Sequence, residues 1–184
     1  LAVGITGQNN VGALVGTGSV ISIDNCYATG NVGGASFVGG LGGYMGTSTN
    51  CHSECNVTGT DYVGGFGGFN LGMIYQCSAT GNVTGGSNVG GFFGYNDAMI
   101  IMNCYSTGSV TGTANSVGGL VGFNAASGNI QNSYATGDVT GVSKVGGLVG
   151  GNDAGSGLQF CYSKGLVIGN TDKGGLVGWS DLLG

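Results

Sequence analysis

The sequence predicts an all-β protein, a parallel β-solenoid (β-helix) of about six to seven coils with 25–28 residues in each. Three observations carry this expectation. A phrase of the form Val-Gly-Gly-Leu-Val-Gly recurs with variation along the chain. Short β-type stretches separated by Gly, Asn and Ser show no 3.6-residue apolar period. Glycine supplies 45 of the 184 residues and proline none. That glycine content without proline or a three-residue period excludes collagen. With 41% hydrophobic and 6% charged residues the chain is also unlike a disordered one. It must bury surface with few large side chains, so hydrogen bonding in continuous sheets has to offset the entropy that glycine loses on folding.

The phrase starts at Val11, Val38, Val63, Val89, Val117, Val145 and Lys173, in steps of 27, 25, 26, 28, 28 and 28 residues. A second phrase, Asn-Cys-Tyr-Ala-Thr-Gly-x-Val-Thr-Gly, lies between. It runs from Asn25 to Gly34 in the first full coil and, with Ser for Cys, from Asn132 to Gly141 in the fifth. Val3-Gly4-Ile5-Thr6-Gly7 reads as the tail of an earlier copy and Leu176-Val177-Gly178-Trp179 as the start of another. Residues 1–184 are therefore read as a single repeat domain, a segment of something longer with an open half-coil at each end. Such a unit cannot bury its apolar face alone, so coils must stack, pairing like with like at about 4.8 Å into a rod of roughly 30 Å. A propeller blade needs about 40 residues.

Each aligned position becomes a ladder in space. Leu14, Leu41, Phe66, Phe92, Leu120, Leu148 and Leu176 are always large and apolar and form the expected core ladder. Ile23, Ile74, Ile101, Ile130 and Leu158, interrupted by Ser48, make a second wall, and Val32, Val57, Val83, Val110, Val139 and Val167 a third. Ala28, Ala79, Ser106 and Ala135 suit a thin core. Two lines of Thr, one through Thr80 and one through Thr84, suit an outward face. Asn70, Asn96, Asn124 and Asn152 suit a stacked amide ladder at a turn.

The strand at Val145 is apolar on both alternating sides. A period of two puts Val145 and Val149 opposite Leu148, on a side continued by Tyr44, Phe69, Tyr95, Phe123 and Trp179. Either this Val and aromatic stripe is a possible association face, or a bulge turns both sets inward.

Cys26, Cys51, Cys77, Cys104 and Cys161 share one column, with Ser133 in the fifth coil and Cys55 outside it. Neighbouring rungs are close enough for disulfides, whereas Cys161 lies two rungs from Cys104 and out of reach. Buried thiols and disulfides both remain open. Metal-ligand spacing is absent and His52 is the only histidine, so neither a metal nor another cofactor is expected. Asp97 and Asp153 lack a calcium-binding repeat around them. Cys51 and His52 are adjacent on a strand and point apart, which is no nucleophile pair. Lys144, Lys164 and Lys173 are the only cations and the net charge is −5, so no catalytic cluster and no nucleic-acid footprint is expected. Membrane insertion is not expected either, since no apolar run approaches about 18 residues. Asn56-Val57-Thr58 and Asn82-Val83-Thr84 are possible N-glycosylation sequons.

Gly119-Leu120-Val121-Gly122 and Gly147-Leu148-Val149-Gly150, followed by Asn-x-Tyr-Ala-Thr-Gly, resemble the GLUG motif; Gly42 and Gly67 depart from it. The resemblance implies a bacterial or archaeal surface or secreted protein, of the kind that includes haemagglutinin-like adhesins and immunoglobulin A protease relatives, and a β-helical stalk. The protease relatives carry His-Glu-x-x-His, which this chain lacks. The expectation is thus a structural stalk or filament subunit of the cell surface rather than an enzyme, self-associating end to end or laterally. The alternative is an adhesive or carbohydrate-binding module whose partners are glycans.

Overall fold

The computed structural model describes residues 1–97 and 99–181, and within them the chain forms short strands and no helix. Every strand pair is parallel and joins one coil to the next, in four sheets. The first sheet stacks Asn9–Val11, Ser36–Gly39, Asp61–Gly64, Ser87–Gly90, Asn115–Gly118, Ser143–Gly146 and Thr171–Gly174. Val11, Val38, Val63, Val89, Val117, Val145 and Lys173 are successive partners in it, as the repeat requires. A second sheet carries the segment after the Gly-Gly corner, such as Val121–Asn124. A third carries the Ile wall, and the largest carries the Tyr-Ala and Val-Thr segments.

The apolar columns point inward through the middle coils, while Leu14, Ile23, Leu158 and Val167 in the end coils are half-buried. In the fifth coil Val117, Leu120, Val121, Asn124, Ile130, Ser133, Ala135 and Val139 all point inward and are buried. Leu41, Phe66, Phe92, Leu120 and Leu148 have no exposed surface, whereas Leu176 in the last coil is exposed. The Thr lines face solvent at Thr58, Thr80, Thr84, Thr107, Thr111 and Thr140.

One expectation is corrected. Val145, Val149 and Val121 do not share a face with the aromatic residues: all three are completely buried, while Tyr44, Phe69, Tyr95, Phe123 and Trp179 are half-exposed. Strict alternation fails because the phrase turns at its Gly-Gly corner from one strand, Asn115–Gly118, to the next, Val121–Asn124, and because within the second strand Val121 is buried and Phe123 half-exposed. Each coil also passes twice through a left-handed residue. The first such column is Asn10, Phe37, Tyr62, Asn88, Ser116, Lys144 and Asp172, with φ between 48° and 60°. The second is Asn25, Asn50, Gln76, Asn103, Asn132 and Phe160, just before the Cys column. A left-handed residue works like a bulge, re-aiming the side chains that follow. The Val before the Gly-Gly corner and the Leu-Val pair after it all reach the core.

The first two sheets then meet backbone to backbone. A Cβ on Gly122 would stand 2.6 Å from the carbonyl carbon of Asn88 and 2.6 Å from the nitrogen of Val89. Only glycine permits that approach, which is the reason the motif keeps its last glycine.

Candidate functional site

Two outward columns run side by side along the first two sheets. One is the left-handed column through Phe37 and Tyr62; the other holds Thr17, Tyr44, Phe69, Tyr95, Phe123, Gly151 and Trp179. They merge into one aromatic cluster. Phe37 stacks on Tyr62 at 4.7 Å between centroids and packs on Tyr44 at 4.6 Å. Along the second column, Tyr44 to Phe69 is 5.0 Å, Phe69 to Tyr95 4.9 Å and Tyr95 to Phe123 5.5 Å, each pair stacked. At the far end Lys144 Nζ lies 3.7 Å above the Trp179 ring.

Sequence reasoning missed Phe37 and Tyr62. Asn, Asp and Ser tolerate the left-handed region, but bulky rings there are outliers that cost energy. The signal available in the sequence was their alignment with Asn10 and Asn88, one residue before the Val column.

Two hollows flank the cluster. The first, about 600 Å³, is lined by Asn9, Asn10, Thr17, Ser36, Phe37 and Tyr44 among others. The second, about 440 Å³, is lined by Ser87, Asn88, Tyr95, Asn115, Ser116, Phe123 and Lys144.

All six cysteines are free thiols. The column is a ladder of caps as well as filler. Sγ of Cys51 accepts the N–H of Cys26 at 3.4 Å, Cys77 that of Cys51 at 3.4 Å, and Cys104 that of Cys77 at 3.5 Å. Each thiol also faces the carbonyl two residues back: Thr49 O for Cys51, Tyr75 O for Cys77, Met102 O for Cys104 and Gln159 O for Cys161. Ser133 fits because its hydroxyl repeats the pattern, accepting from Cys104 N at 3.1 Å and donating to Gln131 O at 2.7 Å. Hydrogen bonding in the column and burial push the Cys51 and Cys77 thiols upward, Cys77 to about 12. Such thiols are neutral and poor nucleophiles.

His52 pairs in the ladder with Tyr27 and Ser78, is exposed, and meets Ser78 Oγ at 2.7 Å through Nδ1. Cys51 beside it is buried, so the two side chains take opposite faces. Among the described residues no three of His, Cys, Asp and Glu lie together as metal ligands. Asn56 and Asn82 are exposed, and each carboxamide oxygen accepts a backbone N–H of the next coil, from Asn82 at 3.1 Å and Ser109 at 3.0 Å.

Parallel coils in register, each turned at a Gly-Gly corner and faced with an outward ladder, define a tandem-repeat β-solenoid. The family model of the GLUG motif matches residues 59–84, 85–111 and 113–140, so the chain carries three GLUG motifs in tandem over that stretch. No curated protein and no solved structure matches it. Repeat and fold together fit a surface, adhesin-like protein.

Proposed function

We propose that the chain is a stalk segment of an extracellular, cell-surface protein, a spacer and not an enzyme, and that copies of it add end to end. One observation supports this most: seven coils stack in register, and an inward Val recurs at the same position in the first six, so the chain's regularity is spent on length.

Two measurements test the reading. An antibody against this segment should label intact cells of the source, and external protease should remove the signal; labelling only after lysis would contradict a surface stalk. Electron microscopy of the concentrated 184-residue chain should show rods that lengthen with concentration. Particles of one fixed length would contradict end-to-end addition.

A further inference from the structure

We propose that the aromatic face is a binding groove for a neutral polysaccharide laid along the solenoid axis, a site that goes beyond the stalk reading and does not depend on it. Six rings, Phe37, Tyr44, Tyr62, Phe69, Tyr95 and Phe123, form a half-exposed ridge over four consecutive coils. The two hollows open at its ends. Each combines ring faces with a set of hydroxyl and carboxamide groups: Asn9, Asn10, Thr17 and Ser36 in the first, Ser87, Asn88, Asn115 and Ser116 in the second. Two ring faces beside a majority of convergent hydroxyl and carboxamide groups suit a ligand that is itself rich in hydroxyls. Rings present faces to the C–H bonds of a sugar, and the amides and hydroxyls complement its hydroxyl groups.

Charge selects the occupant. No charged side chain lines the first hollow, and in the second the ammonium of Lys144 is already committed to Trp179. The two hollows thus carry no carboxylate and a single ammonium, held over a ring, so neither presents a charged cluster to an ionic polymer, although the chain as a whole carries −5. An extended peptide is disfavoured on the same face, because strand addition needs a free edge and these strands pair on both sides with neighbouring coils. The backbone supplies a separate argument. Phe37 and Tyr62 hold φ of 57° and 56°, in a column whose other members include Asn10 and Asn88. Strained positions persist where function needs them. Here the strain places two rings beside Tyr44 and Phe69 and widens the platform from one column to two.

The test uses substitutions that the columns already contain. The 184-residue chain is passed over cellulose, xylan, mannan, chitin and starch, and over the anionic polymers alginate and heparin. Buffers at low salt and at about 0.5 M salt are compared, the latter screening exposed ion pairs. Wild type should be retained on at least one neutral polymer at both salt concentrations. The pair Phe37→Asn and Tyr62→Asn should lose at least about tenfold in affinity, roughly 1.4 kcal/mol, while its thermal midpoint stays within a few degrees of wild type. Tyr44→Thr with Phe123→Thr installs the residue type that Thr17 brings to the same column. That pair should lose as much by a second route, and Thr84→Ala on the remote Thr line should lose nothing. Retention on no neutral polymer, retention only on anionic ones, or equal retention of both ring variants would overturn the proposal. So would sedimentation showing that the ring variants split a wild-type dimer, since the face would then hold a second copy. A negative result leaves rod formation and cell labelling to be judged on their own.

Discussion

The Nδ2 of Asn96 donates to Oδ1 of Asn124 in the next coil at 2.8 Å, and neither side chain has any exposed surface. The same amide also donates to Met99 O at 2.8 Å, while Asn96 Oδ1 accepts from Asn70 at 2.7 Å. Each carboxamide thereby joins two coils and closes its own loop. Asn96→Ala strands the Asn70 amide, the Asn124 oxygen and a loop carbonyl, at about 1–3 kcal/mol for each buried unpaired group. Urea unfolding should show a loss of roughly 3 kcal/mol or more. Asn152→Ala, at the edge of the ladder, should lose less, since it frees only one N–H of the Asn124 amide, which still donates to Gly128 O at 3.1 Å.

The backbone contact between the first two sheets makes a second prediction. Gly122→Ala forces a methyl against Asn88 and Val89 and should cost at least about 2–3 kcal/mol, because backbone has to move. Gly175→Ala meets no atom within 4 Å and should be neutral or stabilising by up to about 1 kcal/mol. Equal unfolding midpoints for the two variants would contradict the close sheet packing.

These two contacts also show what could be read in advance. The Asn ladder was legible because Asn at a fixed step, after an apolar strand, has one structural reading. The Leu, Ile and Val walls were legible for the same reason. The Val and aromatic residues were put on one face because a period of two assumes unbroken strand. The Gly-Gly corner splits the phrase into two strands, such as Asn115–Gly118 and Val121–Asn124, and the left-handed Phe37 and Tyr62 add a second outward column that nothing about those residue types announces. The double aromatic platform was lost with them. The capping role of the cysteines was hidden as well, since a thiol column and a column of small hydrophobes look alike until Ser133 is seen making the same bonds.

The thiol column predicts an alkaline limit to stability. The pKa of Cys77 rises from 9.0 to about 12 in the fold, through its bond to Cys104 and burial. Between those values the unfolded chain has lost a proton that the native chain keeps, so the unfolded state binds fewer protons and stability falls as pH rises. The contribution is complete below about pH 9 and gone by about pH 12. Under reducing conditions, Cys77→Ser should fold, as the Ser at position 133 does in the same column, and show a shallower decline over this window. An identical pH slope in both proteins would contradict the assignment.

Lys144 and Trp179 offer a local probe, since the chain has one tryptophan. Lys144→Met removes the ammonium above the ring and should shift the emission of Trp179, at a stability cost below about 1 kcal/mol. Unchanged emission would mean that the ammonium does not sit on the ring.

The claim on which everything else rests is that successive coils stack in register. Thr84, Thr111 and Thr140 are exposed members of one ladder, partnered directly from coil to coil. Paired nitroxide labels on these positions, with the native thiols replaced by Ser, measure the stack itself. Labels at 84 and 111 should show the strong dipolar broadening of neighbours about 5 Å apart at the backbone, and labels at 84 and 140 the weaker coupling of about 10 Å. Weak or equal coupling in both pairs would contradict the solenoid.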